Sequence, residues 1–150
     1  MLEFRDAVDG DLPALLALYA QLEQEPDVSM DLAAARALWE RIRDRPDYRI
    51  VVAESPSDGI VGAYSLQIVQ GLAHAGTPSA IVEDVVVDSR YRRRGIGRKM
   101  MENAIARARV QGCYKLALSS NRRREAAHRF YEALGFERHG YSFAVFLKRD

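Results

Sequence analysis

The sequence predicts a single mixed α/β domain, and three observations carry that expectation. Ile81 to Arg98 reads as a β-branched strand, a basic turn with two glycines, and the start of a helix. Alternating apolar segments lie on both sides of this unit, interleaved with helical stretches, which is an α/β order. The length, 150 residues, suits one domain with a sizeable core, and 48% hydrophobic with 29% charged residues is ordinary for a soluble globular chain.

Taken in order, Leu2 to Ala7 alternates as a first strand. Asp9 or Asp11 can cap the following helix, which has Pro13 in its first turn and Leu12, Leu15, Leu16, Tyr19 and Leu22 inward. Glu23 to Ser29 is an acidic loop broken by Pro26. A second helix, Asp31 to Asp44, turns Leu32, Ala35, Leu38, Trp39 and Ile42 to the core. Tyr48 to Glu54 and Ile60 to Val69 form a hairpin around the turn Ser55 to Gly59. Gly71 to Ser79 is a loop leading into the central strand. The helix after the glycine turn buries Met101, Ala104, Ile105 and Ala108. Tyr114 to Ser119 is another strand, Arg122 to Leu134 a helix ended by Gly135, and Phe136 onward two short strands around Gly140. The count is six to seven strands and about four helices.

Composition narrows the function classes. No apolar run approaches the roughly 18 residues a membrane span requires, and the opening residues do not read as a signal peptide. The single cysteine, Cys113, allows no internal disulfide and suits a reducing, cytoplasmic setting; after Gly112 it reads as a small buried residue. No Cys/His spacing suggests a metal site. Charge is unevenly placed: residues 1–80 carry 13 acids and 6 bases, residues 81–150 carry 8 acids and 16 bases. That asymmetry points to one pole for an anion and one for a cation. The basic run Arg90 to Lys99 raises nucleic acid as a partner, but only Tyr91 offers an interleaved aromatic, so a nucleic-acid site is disfavoured.

The glycine turn suits a phosphate, because a turn and a helix start present unpaired amides and partial positive charge, and glycine lets backbone approach closely. It is no Walker loop, since Gly97 is followed by Arg98-Lys99, and no dinucleotide fingerprint, since Met100 stands where a third glycine belongs. What is present, Arg92-x-x-Gly95-x-Gly97 after Val85-Val86-Val87, resembles the acetyl-CoA signature of the GNAT superfamily of N-acetyltransferases. A second segment, Ala127-His128-Arg129-Phe130-Tyr131-Glu132-Ala133-Leu134-Gly135-Phe136, resembles the A-x-x-F-Y-x-x-x-G-F stretch of the same superfamily. Many members carry an Asn seven residues before that Tyr; here the position is Arg124, and Asn121 is the nearby substitute. Arg124 with His128 is similar to a subset reading R-x-x-A-H-x-F-Y.

The resemblance implies a central, mostly antiparallel sheet and transfer of acetyl from acetyl-CoA, with no metal, directly to a primary amine. It implies that Arg92, Arg93, Arg94, Gly95, Ile96, Gly97 and Arg98 hold the pyrophosphate. Backbone groups of Val85, Val86 and Val87 would pair with the pantetheine arm, with Asn121 and Ala127 also on the cofactor side. Tyr131 matches the general acid for the thiolate, and a strand amide such as that of Val85 would meet the developing oxyanion. The amine adds its own demand. An alkylammonium with pKa roughly 10.4 is protonated at neutral pH, and freeing its lone pair costs about 4 kcal/mol, so a carboxylate acceptor is expected. Glu83, favoured as base or water anchor, and Asp84 are the candidates; neighbours on a strand point to opposite faces, so one of them is expected to face the substrate.

The acceptor is expected to be a small cationic amine of amino-acid, polyamine or amino-sugar type, drawn by Glu23, Glu25 and Asp27 and framed by His139-Gly140-Tyr141-Ser142. A protein N-terminus or lysine is the alternative acceptor, and a non-catalytic CoA-binding module a remote one. Relatives often pair through C-terminal strands, so a homodimer is a further expectation.

Overall fold

The computed structural model describes residues 1–22, 30–120 and 124–147. The chain forms two compact units, Met1–Leu118 and Ser119–Asp150. In the first, β1 (Glu3–Asp6), β2 (Tyr48–Ser55), β3 (Gly59–Val69), β4 (Ser79–Val87) and β5 (Leu116–Ala117) make one sheet in sequence order. β1 to β4 pair antiparallel, and β5 runs parallel to β4. Five strands are found among the described residues where six to seven were expected.

The shortfall lies after α4 (Glu125–Ala133), the one regular element of the second unit among the described residues. Residues 136–147 contain no strand, and Tyr141, Phe143, Val145, Phe146 and Leu147 are exposed. An apolar run of strand-like composition stays irregular when no neighbouring strand takes up its backbone groups. β5 is also shorter than expected, pairing only Leu116 and Ala117 with Ala80 and Ile81.

One core covers the face of the sheet toward α1 (Leu12–Tyr19) and α2 (Leu32–Ile42), joining Leu12, Leu15, Leu18 and Trp39 to Ile50, Val52, Ala63 and Val86. Leu18 rather than Leu16 is the third buried leucine of α1, and Leu38 of α2 is exposed. Ala35 and Trp39, four residues apart, set the inner line of α2, and Leu38 falls beside it. Neither expected aspartate caps α1 with its side chain. Asp11 is buried and must be paired: it accepts from Arg5 at 2.7 and 3.1 Å and from the Val8 amide at 2.8 Å. Asp9 accepts from the Trp39 indole at 2.7 Å. Asp31 does cap α2, accepting from the Ala34 amide at 2.8 Å.

On α3 (Ile96–Val110), Ile96, Met100, Met101, Ala104 and Ala108 are buried and Ile105 half-buried. The Tyr64 hydroxyl donates to Asn103 at 2.6 Å, tying β3 to this helix. Gly62 makes the close approach possible, since a Cβ there would lie 3.0 Å from the Val86 carbonyl and 2.9 Å from the Met100 sulfur. Cys113, just beyond α3, is half-buried, and burial pushes its thiol pKa up, which leaves it unreactive.

Candidate active site

β4 leaves its regular ladder at mid-strand. Ser65 pairs with Glu83 and Ala63 with Val86, so β3 contributes one residue, Tyr64, where β4 contributes two, Asp84 and Val85. This is a β-bulge. Asp84 has φ 53°, the left-handed region that aspartate tolerates better than a β-branched residue. Alternation is lost with it: Ala80 and Val82 are buried, Glu83 and Asp84 are both exposed, and burial resumes at Val86. Alternation of burial lapses at this pair because the period-two rule presumes an unbroken pleat.

Both acids act electrostatically on the same phenol. Tyr48, first residue of β2, has its pKa raised chiefly by desolvation and further by the charges of Asp84 and Glu83, while the Ser65 hydroxyl acts oppositely. Tyr19, last residue of α1, is driven up by desolvation, then by Tyr48 and Asp84. Asp84 itself is raised above the usual carboxylate range by desolvation. The Ser65 hydroxyl donates to the Glu83 carbonyl at 3.0 Å and steadies the strand just before the bulge. Sequence reasoning assigned Tyr19 to the core and Tyr48 to a strand only. The available signal was a polar tip on each ring, and an aspartate inside a valine-rich strand.

Beyond Ile81, no strand among the described residues pairs with the β5 side of β4. The backbone from Glu83 to Val87 therefore offers an open edge; Val85 and Val87 are half-buried, Val86 buried. The following turn is held from within. Asp88 is buried, accepts from the Arg90 amide at 3.0 Å and its guanidinium at 2.9 Å, and lies well below the ordinary range because of Arg90. The Ser89 amide donates to the Gln21 side chain at 2.8 Å. Arg93 and Gly95 both have left-handed backbones, φ 65° and 77°, and Gly95 is the residue before α3. The first bond closing the helix runs from the Lys99 amide to the Gly95 carbonyl, 3.1 Å. The Ile96, Gly97 and Arg98 amides thus lie in the first turn, where helical geometry supplies no carbonyl. Left-handed residues interleaved with a helix start make a concavity of amides fit for an anion.

The arginines divide in use. Arg90 and Arg94 stack on the Tyr91 ring at 5.5 and 5.3 Å, and Arg98 binds Glu102 at 3.0 Å. Arg92 and Arg93 are exposed, and Ile96 is buried and anchors the helix start. With backbone donors, a cationic rim and an open strand edge, this turn suits a diphosphate-bearing group.

In the second unit, Tyr131 lies on α4 against Phe130 at 5.2 Å and Phe136 at 5.7 Å, both edge-on. Gly135, φ 95°, ends the helix, and the Phe136 amide returns to the Tyr131 carbonyl at 3.1 Å. Desolvation raises the Tyr131 pKa and the Arg124 charge partly opposes it, so the phenol keeps its proton at neutral pH. Ala127 and His128 are half-buried on the same helix. Asn121 and the acidic loop Glu23 to Ser29 lie outside the described residues. Among the described residues, no cluster of His, Cys, Asp and Glu could hold a metal ion, and no helix is long and apolar enough to cross a membrane.

Comparison with known proteins adds a family. The acetyltransferase (GNAT) family model matches residues 13–136. A glucosamine 6-phosphate N-acetyltransferase of Trypanosoma brucei brucei is 34% identical over 139 residues, covering 92% of this chain and 90% of the relative. A protein of Oryza sativa subsp. japonica named as a probable enzyme of the same activity is 31% identical over 143 residues, covering 88% and 79%. Among solved structures, a chain from Agrobacterium tumefaciens str. C58 described as an acetyltransferase superposes with TM-score 0.89 at 34% identity, covering 97% and 99%.

Proposed function

The chain belongs to the GNAT family of acetyltransferases, and from that premise we propose that it acetylates the primary amine of a small amino sugar, glucosamine 6-phosphate being the first candidate. The names of the relatives support the acceptor class. The observation that carries the reading is the pair Glu83–Asp84, exposed in succession at the β4 bulge just ahead of the amide-rich turn.

Acetyl-CoA, when bound, supplies the activated thioester. Amides of the Arg93–Arg98 turn take its pyrophosphate, with Arg92, Arg93 and Arg94 nearest in charge and Arg98 drawn from Glu102. The open edge at Val85, Val86 and Val87 would pair with the amide groups of its arm, and the family resemblance also assigns Asn121 and Ala127 to the cofactor. Asp84, its pKa raised by desolvation, takes the part of proton acceptor in place of Glu83, which holds the amine. The Val85 amide, outside the ladder at the bulge, is a donor for oxygen where negative charge develops. Tyr131, protonated at neutral pH, delivers a proton to the departing sulfur. In this proposal residues 1–150 make up one catalytic domain. The exposed run from Tyr141 to Leu147 supports a homodimer, and the lone Cys113 fits a reducing, cytoplasmic setting.

The test is CoA release from acetyl-CoA with glucosamine 6-phosphate, glucosamine, spermidine, lysine and short peptides as acceptors. Preference for glucosamine 6-phosphate is expected; turnover of peptides alone would move the acceptor to protein N-termini.

A further inference from the structure

We propose that Tyr19 and Tyr48, facing the Glu83–Asp84 pair on the α1/α2 side of the sheet, form the seat in which the acceptor's ammonium group is held before it reacts. This rests on the acetyltransferase reading above and names specificity residues within it.

The placement comes from strand register. Ile50 of β2 lies opposite Ser65 of β3, and Ser65 opposite Glu83 of β4. Tyr48 is two residues before Ile50, so it shares that face. Both Tyr48 and Tyr19 border the core cluster containing Ile50, Ala63 and Val86, which puts the end of α1 over the same part of the sheet. Each ring is half-buried. The Tyr48 hydroxyl bonds to Ser65, whose own hydroxyl donates to the Glu83 carbonyl at 3.0 Å, so this phenol is tied to the strand position that carries the acids. Tyr19, Tyr48 and Asp84 act on one another electrostatically, and Glu83 acts on Tyr48, so the four groups make one cluster.

Its chemistry is specific. Two neighbouring carboxylates repel each other, and a cation between them relieves that repulsion. An alkylammonium has three donors, and Glu83, Asp84 and the Tyr48 oxygen are three acceptors. Tyr19 packs against the same core cluster as Tyr48 and feels the charge of Asp84. Charge then comes from the acids, while the hydroxyls fix where the nitrogen sits relative to the bulge.

The experiment compares wild type with Tyr48→Phe and Tyr19→Phe, using glucosamine 6-phosphate, glucosamine, spermidine and lysine, and measuring KM for each amine and for acetyl-CoA. A lost hydrogen bond to a charged group should raise the amine KM about ten- to a hundredfold in Tyr48→Phe. The acetyl-CoA KM and the melting temperature should stay unchanged, a split that loss of packing would not produce. An amine KM within about twofold of wild type in both variants would overturn the proposal and leave the acetyltransferase reading intact. A raised KM seen with spermidine, and no turnover of either sugar, would sustain the seat and remove the amino-sugar acceptor. Absence of turnover with every amine would overturn both.

Discussion

At the scale of single residues, the raised pKa of Asp84 has a definite sign. Desolvation favours its protonated form in the folded chain, so the native state binds a proton more readily than the unfolded state over the window between the two values. Ionised Asp84 therefore costs stability above that window, and the cost is relieved as pH falls through it. Activity runs the other way, because the base must be ionised. The acid limb of kcat/KM is expected at higher pH than an ordinary aspartate would give. Asp84→Asn should abolish that limb, lower kcat by about 10²- to 10⁴-fold and leave the melting temperature no lower. A pH-rate profile and a thermal melt check both. Tyr131→Phe keeps the ring between Phe130 and Phe136 and removes only the proton donor. A drop in kcat of about 10²-fold or more, with acceptor KM and melting temperature unchanged, is expected in steady-state assays.

At the scale of elements, the close approach of β3 to β4 and α3 depends on Gly62. An added methyl would press on the Val86 carbonyl, which is fixed in the sheet, and on the Met100 sulfur, which can swing aside. Gly62→Ala should cost about 1–3 kcal/mol, read as a melting temperature roughly 3–10 °C lower by calorimetry. Elements with a sustained period were legible from the chain: the β2–β3 hairpin and α3 follow from alternation and from the spacing of Met101, Ala104 and Ala108, to which the structure adds Met100. The bulge was not, because period arguments assume an unbroken pleat, and only an aspartate among valines hinted at it. The α1 caps were misread because Asp9 and Asp11 answer to Trp39 and Arg5, partners 30 and 6 residues away that no local rule counts. The C-terminal strands failed for a related reason: a strand needs a neighbour, and composition does not name one.

At the scale of the whole molecule, the sequence divides its charge, with the basic excess after residue 80 where the glycine turn lies. Binding of coenzyme A should therefore weaken with ionic strength. The dissociation constant is expected to rise several-fold between roughly 0.05 and 0.5 M salt, since exposed arginines are screened over about 3–15 Å in that range. Arg93→Ala should flatten that dependence and weaken binding about three- to tenfold, measurable by calorimetry. The two halves of the turn-and-tyrosine signature were legible at this scale because each is a short, ordered run of residues. The proposed seat for the amine was not, since Tyr19, Tyr48 and Asp84 stand on three elements far apart in the sequence.

The bulge in β4 makes chemistry here a matter of counting as well as of residue type. Every substitution at position 84 preserves the number of residues between Glu83 and the glycine turn; excision of Asp84 would not. A chain shortened by that one residue could zip β3 to β4 without interruption, with Val85 opposite Tyr64, Val86 still opposite Ala63, and the kink that bares the acids removed. The result expected is a hardier protein that has forgotten its reaction, with the surplus residue revealed as the one the fold would do better without.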